Sequence, residues 1–188
     1  LEQAHLTLAL EGLPQSDLSL FSLQVFSNVL GGGMSSRLFQ EVREKRGLCY
    51  NVFSFGSAYE DGGQFGVYAA STPEHAEELL DVASNVIMSV TKLVTDEEVK
   101  RAKAQLKSSL VMNLESAAAR ADQIARQFLA FGSVPSISTL TAKIDAVTGD
   151  QVRALAERIF NNKTPAVSAV GQLSHMTPHS RIAAYFST

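Results

Sequence analysis

Four histidines are the side chains in this 188-residue sequence that are best suited to bind a transition metal: His5, His75, His175 and His179. The last two have the spacing of one helical turn, but Pro178 lies between them, and proline lacks the N–H group that a helix needs. No Glu or Cys lies beside this pair. We therefore expect both histidines to face solvent, and the sequence predicts no metal site in this chain.

Carboxylates are the next candidates for chemistry, because Glu77–Glu78 and Glu97–Glu98 are adjacent in sequence. Neighbouring residues of a helix point about 100° apart, so the members of such a pair do not converge on one proton. We interpret them as solvated charges and the single cysteine, Cys49, as a small strand residue. No Ser-His-Asp or Cys-His arrangement stands out, so the sequence predicts no catalytic residue in this chain.

The composition is typical of an ordinary soluble globular domain, with 45% hydrophobic residues, 19% charged residues and a net charge of −3. We predict a single domain over residues 1–188. The absence of a basic block argues against nucleic acid as a partner. No apolar run reaches the roughly 18 residues that a membrane span needs. The chain opens on Leu1 and goes straight into a strand pattern, which suggests a piece of a longer protein.

A glycine-rich connection and the short helix after it organise the middle of the chain. Gly31–Gly33 can take positive φ and let another backbone approach closely. Ser35 or Ser36 can cap a new helix, because a serine oxygen accepts from N–H groups of the first turn. Gly47 stands where a left-handed residue would end that helix. Leu48–Phe55 then has the composition of a strand.

The predicted short helix has one apolar face and one polar face. Leu38, Phe39 and Val42 form the apolar stripe, whereas Glu41 and Lys45 form an i,i+4 ion pair. Arg43 falls on the flank of the stripe, about 90° from its centre at the pitch of an α-helix. This position suits a guanidinium group with a half-buried stem and a free head.

Strands are predicted near both ends of the chain and in its middle. His5–Leu10 alternates leucine with other residues, which is the period of a half-buried strand. Cys49–Ala58 and Gln64–Ser71 flank Glu60-Asp61-Gly62-Gly63 and predict an antiparallel hairpin. Pro165–Leu173 is predicted as the last strand.

Helical periodicity fills most of the remaining sequence. Asp17 can cap a helix that ends at the glycines, and a second helix is predicted over residues 74–93. The capping box Thr95-x-x-Glu98 then begins a long helix over residues 96–131. Two further helices are predicted, one from near Ser136 and one capped by Thr148-x-x-Gln151. This order indicates an α+β fold in which several helices pack on one side of an antiparallel or mixed sheet of about four strands.

The run GGGMSSRLFQEVREKRGLCYNVFSF closely resembles the C-terminal, non-zinc-binding half of zinc metallopeptidases related to pitrilysin and the mitochondrial processing peptidase, especially their shorter bacterial members. The order of the predicted elements fits that half over essentially all 188 residues. The resemblance implies a two-layer sandwich that closes a chamber over a peptide substrate. It also implies a partner, the N-terminal half, in the same chain or in another subunit.

The chemistry that the resemblance implies lies outside this chain. In the family, zinc is bound by His-x-x-Glu-His, with the intervening Glu as general base, and this sequence lacks that motif. We therefore expect zinc in the missing half and no cofactor here. The resemblance leaves open a homo-oligomer, and it leaves the compartment undecided between bacterial cytoplasm, periplasm and mitochondrial matrix.

The resemblance assigns a substrate contact to Arg43 and Tyr50, seven residues apart. A guanidinium group and a phenol are donors that can hold a peptide carbonyl, or the oxyanion it becomes, without reacting. The alternative is a structural role, with Arg43 in a salt bridge and Tyr50 as a core phenol. Weaker candidates for contacts are Gly31, Gly32, Gly33, Arg37 and Arg46.

Two functional hypotheses follow from the resemblance. The first is the non-catalytic C-terminal domain of a zinc endopeptidase, which contacts the peptide substrate. The second is an inactive subunit that presents peptides or scaffolds a complex. The non-catalytic subunit of the processing peptidase carries a much longer glycine-rich loop than the three glycines here, which favours the first hypothesis.

Overall fold

The leucines near the N-terminus form the central strand β1, Ala4–Glu11, in the computed structural model, which describes residues 2–172 and 176–187. Leu6, Leu8 and Leu10 are buried on one face of this strand, because successive side chains of a strand point to opposite sides. His5 and the other alternate residues lie on the opposite face and are half-buried or exposed. The predicted alternation is therefore confirmed.

Within the described residues, four antiparallel strands form one sheet, in the order β2-β3-β1-β4. The predicted hairpin is present as β2, Cys49–Ala58, and β3, Gly63–Ser71. The last strand, β4, is shorter than predicted and covers Ala166–Val170, and Leu173 lies outside the described residues. This sheet confirms the predicted α+β class and decides between the antiparallel and mixed alternatives.

Seven α-helices accompany the sheet in the described residues, and among them the first and the sixth contact its strands most. In chain order they are α1 Leu20–Gly31, α2 Ala76–Lys92, α3 Asp96–Asn113, α4 Ala117–Phe131, α5 Ile137–Ala146, α6 Gly149–Phe160 and α7 His179–Tyr185. A π-helical turn, Phe39–Glu44, and a short 3₁₀ turn, Pro73–His75, complete the set. None of the described helices is both long enough and apolar enough to cross a membrane.

Four phenylalanines hold the two layers together. Phe65 of the sheet lies 5.1 Å from Phe26 of α1 and 5.7 Å from Phe160 of α6, measured between ring centroids. Phe160 also lies 5.3 Å from Phe26 and 6.2 Å from Phe186. All four rings are fully buried. Because aromatic pairs add to the burial of large apolar surfaces, this cluster helps to hold the helices against the sheet.

The prediction of one long helix over residues 96–131 is wrong, because this stretch forms two helices, α3 and α4, with a break around Ser116. Ser116 has extended backbone, with φ −90° and ψ 117°, and its hydroxyl accepts from the Ala119 N–H at 3.3 Å. Serine competes in this way with helix hydrogen bonds, so it favours a cap over a helix interior. The apolar spacing continues across the break and gives no sign of it.

The caps of the other helices agree with the sequence at most positions. Both predicted capping boxes are present, at Thr95 and at Thr148. The prediction that Asp17 caps α1 was wrong, because α1 begins at Leu20 and the residue before it is Ser19. The Asp17 carboxylate instead accepts from the Ser19 N–H at 2.7 Å and pairs with Arg158 at 2.6 Å, so it orders the turn that precedes the helix.

Replacing Phe160 by alanine should lower the free energy of unfolding by about 3–5 kcal/mol, because the side chain is fully buried and contacts three other rings. The exposed Phe128 is the matched control, and its replacement by alanine should cost less than about 0.5 kcal/mol. Urea unfolding of both variants measures the difference. Equal losses for the two variants would contradict this description of the core.

Candidate functional site

The glycine-rich connection begins with a close approach between α1 and β2. Gly31 is buried at the end of α1, and a β-carbon there would lie 2.3 Å from the backbone nitrogen of Ser54. The hydroxyl of Ser54 also donates to the Ser27 carbonyl at 2.7 Å. Gly33 has a φ of +153°, which glycine accepts and L-residues rarely adopt. These two glycines therefore serve the path of the backbone.

The segment after the glycines is a π-helical turn and not the ordinary α-helix that was predicted. The Lys45 N–H donates to the Gln40 carbonyl at 3.0 Å, which is the i→i−5 bond of a π-helix. Ser36 lies at its start, where its hydroxyl accepts from the Phe39 N–H at 3.4 Å. The wider turn changes the angles around the helix axis, so the position of Arg43 calculated with the α-helical pitch does not apply. Spacing of apolar residues does not distinguish the two helix types.

Gly47 ends this turn as the sequence predicts. It has a left-handed φ of +64°, and its N–H donates to the Arg43 carbonyl at 3.0 Å. The Leu48 N–H donates to the Val42 carbonyl at the same distance. This pair of bonds is a wider counterpart of the Schellman arrangement, in which each bond spans one residue more than usual. It leads directly from Arg43 into β2.

Arg43 and Tyr50 lie together in the folded domain. The guanidinium carbon of Arg43 is 5.0 Å from the centre of the Tyr50 ring and 4.6 Å from the centre of the Phe39 ring. Tyr50 occupies the irregularity in β2 between Cys49 and Asn51, and it is 76% exposed. The structural alternative of a core phenol is therefore wrong for Tyr50. Among the described residues Arg43 has no ion pair, so the salt-bridge alternative finds no support there.

Arg37 has a structural environment that differs from that of Arg43. Its guanidinium donates twice to the Glu98 carboxylate, at 2.6 and 2.8 Å, once to the Ser89 hydroxyl and once to the Leu93 carbonyl. The Arg37 and Glu98 side chains are only 19% and 16% exposed. These bonds join the π-helical turn to α2 and α3. Arg46, by contrast, pairs within the same segment with the half-buried Glu41, which also accepts from Lys45 as predicted.

Glu98 corrects the expectation that the paired carboxylates are simply solvated. Burial raises its pKa, but the hydrogen bonds and positive charge of Arg37, with the bonds from Thr95, outweigh that effect and bring the pKa to about 2. The Glu98 carboxylate thus stays ionised throughout the neutral range. The sequence predicted the capping role of Glu98 from Thr95, three residues away. It could not predict the ion pair, because Arg37 is 61 residues away in the chain.

Cys49 and the histidines show no sign of a reactive centre. Burial raises the pKa of the Cys49 thiol to about 11, against a smaller lowering by Arg43, so the thiol stays protonated at neutral pH. His5 shares a 2.7 Å hydrogen bond with Tyr68, and His179 contacts the Pro165 carbonyl at 2.7 Å. His175 lies outside the described residues. Over residues 2–172 and 176–187, no three side chains of the metal-binding types come together.

Phe39 is the functional candidate that sequence reasoning missed. The sequence placed it in the buried stripe, whereas its ring contacts the Arg43 guanidinium. The available signal was the i,i+4 spacing of Phe39 and Arg43, since residues four apart share one helix face. Tyr50 could not be added to that pair from spacing, because its position depends on the turn at Gly47.

A sequence model of the family described as "Peptidase M16 inactive domain" matches residues 1–106, which include Arg43, Tyr50, Arg37 and the three glycines. The chain belongs to this family. The match to the M16 inactive domain therefore covers the residues of the candidate site.

Curated relatives of this M16 inactive domain are named zinc proteases. An uncharacterized zinc protease of Streptomyces coelicolor is 41% identical over 173 residues, which are 92% of this chain and 38% of the relative. The uncharacterized zinc protease YmxG of Bacillus subtilis is 34% identical over 160 residues, which are 85% of this chain and 39% of the relative. The chain thus spans well under half the length of these relatives.

Solved structures agree with the fold of the M16 inactive domain. The crystal structure of a peptidase M16 inactive domain from Pseudomonas fluorescens superposes with a TM-score of 0.81 at 26% identity, over 94% of this chain and 42% of that one. A chain of Complex III2 from Candida albicans superposes with a TM-score of 0.91 at 20% identity, over 100% of this chain and 47% of that one. The second likeness concerns the fold alone.

Replacing Glu98 by glutamine should lower the free energy of unfolding at pH 7 by about 1.5–3 kcal/mol, the range for hydrogen bonds to charged groups. The folded pKa of Glu98 is depressed, so its contribution is present above the ordinary value of 4.5 and is lost as the pH falls toward 2. Thermal melts from pH 7 to pH 3 should therefore show a shrinking difference from the wild type.

The matched control for Glu98 is Glu97→Gln, since Glu97 is exposed in the same first turn of α3. Both substitutions remove one charge from the same helix end, so the helix dipole affects them alike. Glu97→Gln should change stability by less than about 0.5 kcal/mol. A loss for Glu98→Gln that is independent of pH would contradict the ion pair as its cause.

Replacing Gly31 by alanine should destabilise the domain by about 1–3 kcal/mol, because the new β-carbon meets the Ser54 backbone. Alanine favours a helix over glycine by about 1 kcal/mol, so the clash must exceed that gain. Gly62→Ala is the control, since a β-carbon there meets nothing within 4 Å. Thermal melts compare the two, and a stabilised Gly31→Ala variant would show that α1 and β2 can separate at no cost.

Proposed function

We propose that this chain is the non-catalytic half of a zinc endopeptidase, which closes a chamber over the peptide substrate and contacts it through Arg43 and Tyr50. The observation that supports this most directly is the position of the Arg43 guanidinium carbon over the exposed Tyr50 ring, 5.0 Å from the ring centre. The names of the relatives, which are zinc proteases, supply the reaction class.

The two side chains suit the binding of a peptide carbonyl. Within the described residues, neither the Arg43 guanidinium nor the Tyr50 hydroxyl makes a side-chain hydrogen bond, whereas Arg37 on the same segment makes four. A guanidinium that makes no hydrogen bond within the described residues has its N–H groups available to donate to a ligand. The phenol adds an O–H donor beside it. Donors placed in this way stabilise negative charge as it develops on a carbonyl oxygen.

Zinc and the general base belong to the other half in this proposal. The described residues supply no suitable set of metal ligands, so no step of the reaction is assigned to a metal in this chain. The partner is then the N-terminal half with the His-x-x-Glu-His motif, in the same polypeptide or in a second subunit. The relatives are more than twice as long as the stretch they share with this chain, which leaves room for such a half.

The weaker contact candidates receive supporting roles. Arg37 has its donors engaged with Glu98, Ser89 and Leu93, so it fixes the π-helical turn from behind. Gly31 brings α1 close to β2 at Ser54, and Gly33 takes a positive φ where the chain leaves α1. We therefore assign peptide binding to Arg43 and Tyr50 and assign the placement of their segment to Arg37, Gly31, Gly32 and Gly33.

Arg43→Ala and Tyr50→Phe should each lower kcat in the protein that includes its zinc-binding half. Loss of a well-placed donor to developing charge costs on the order of 10²-fold in rate. The loss should appear in kcat more than in KM, because the interaction strengthens in the transition state. Steady-state kinetics on a peptide substrate, with zinc analysis and thermal melts of each variant, makes the measurement.

Two controls test whether the effect is specific. Arg126→Ala removes an exposed arginine that pairs within α4, and Tyr59→Phe removes an exposed phenol at the turn between β2 and β3. Both should leave kcat within about twofold, since exposed ion pairs contribute little. Unchanged kcat in both Arg43→Ala and Tyr50→Phe would refute the proposal and favour the second hypothesis, a subunit that presents peptides or scaffolds a complex.

A further inference from the structure

We infer that Phe39 is a positioning residue that holds the Arg43 guanidinium ready to receive substrate. The guanidinium carbon lies 4.6 Å from the Phe39 ring centre and 5.0 Å from the Tyr50 ring centre, so the cation contacts two rings. This inference rests on the proposed function, because it concerns the same site. It adds a residue to which the sequence analysis assigned no part in the site.

The argument begins with what else could fix the Arg43 head. An arginine side chain has many rotamers, and a surface arginine normally loses them by forming an ion pair. The two other arginines of the segment do so, Arg37 with Glu98 and Arg46 with Glu41. For Arg43, the described residues offer neither an ion pair nor a side-chain hydrogen bond. The two rings are therefore the contacts that restrict its guanidinium.

Stacking and ion pairing differ in what they leave available. The N–H groups of a guanidinium radiate within its plane, whereas aromatic rings attract the cation from positions above the plane of the ring. Arg37 illustrates ion pairing, because its bonds to Glu98, Ser89 and Leu93 use its N–H donors. Ring contacts hold Arg43 without using any donor. A residue that must donate to a substrate is thus held by contacts that do not compete with the substrate.

Phe39 is the better anchored of the two rings. It is half-buried, next to Leu38, and the π-helical turn places it four residues before Arg43. Leu38 and Val42 are fully buried and fix that turn to the core. Tyr50 is 76% exposed and is itself proposed to contact substrate. Phe39 therefore supplies the fixed side of the arrangement, and Tyr50 supplies the side that faces the peptide.

Three variants of the protein that includes its zinc-binding half test this inference. Phe39→Leu keeps an apolar side chain but removes the ring face, and it should lower kcat about tenfold with KM changed less than about twofold, because a misoriented donor loses its advantage. Phe39→Tyr keeps the ring and should restore kcat to within about twofold of the wild type. Phe21→Leu is the matched control, since Phe21 contacts the Lys143 ammonium at 5.4 Å elsewhere, and it should leave kcat unchanged.

A second measurement, which needs no substrate, reports the contact between the Phe39 ring and the Arg43 guanidinium. In protein labelled with ¹³C-arginine, ring currents should displace the Arg43 side-chain signals, and Phe39→Leu should move them toward the values of a free arginine. Phe21→Leu should not move them. Arg43 signals that are the same in the wild type and in Phe39→Leu would overturn the inference, because the ring would then not hold the guanidinium in solution.

The kinetic outcomes separate this inference from the proposed function. If Arg43→Ala lowers kcat and Phe39→Leu does not, Phe39 is not a positioning residue, and the proposed function stands. If Phe39→Tyr is as slow as Phe39→Leu, the ring is not the cause, and the inference is again overturned. If Arg43→Ala and Tyr50→Phe both leave kcat unchanged, the proposed function itself fails, and this inference fails with it.

Discussion

The close approach of Gly31 to the backbone of Ser54 is the constraint on which the arrangement of the site depends. A β-carbon at Gly31 would lie 2.3 Å from the Ser54 nitrogen, so α1 and β2 can meet at this distance only where the helix has no side chain. The segment that carries Phe39 and Arg43 leaves α1 at this point and must return to β2 at its first residue. Both ends of the segment are thereby fixed, and a tight turn at Gly47 becomes necessary.

Within that segment, two arginines six residues apart are held in opposite ways. Arg37 is bound through its N–H groups to α2 and α3, chiefly by the half-buried Glu98, whose pKa of about 2 reflects the strength of that pairing. Arg43 is bound through contacts with rings. The first mode uses the donors and gives rigidity, while the second keeps the donors available. The difference explains why Arg43, and not Arg37, suits a role in binding a substrate.

The exposed end of the site is set by β2. Tyr50 occupies an irregularity in the pairing of β2 with β3, where one residue falls out of the regular register. Such a bulge redirects a side chain, and bulges are frequent beside functional sites. Cys49, immediately before it, faces the core and stays protonated, so the chain changes from buried to exposed within one residue. The π-helical turn on the other side is a second irregularity of a kind that is common at functional sites.

The sequence by itself determined the features that depend on neighbouring residues: the leucine alternation of β1, the hairpin of β2 and β3, the capping boxes at Thr95 and Thr148 and the helix end at Gly47. Local hydrogen bonds and side-chain periodicity encode these features, so they can be recognised without a fold. The break at Ser116 is also local, since the Ser116 hydroxyl caps α4 through the Ala119 N–H, but the apolar spacing runs through it and concealed it. Tertiary structure decided the π-helical turn, because apolar spacing does not reveal its hydrogen bonds. It also decided the pairing of Arg37 with Glu98, 61 residues apart, and the placing of Arg43 between two rings, because both require elements that only packing brings together.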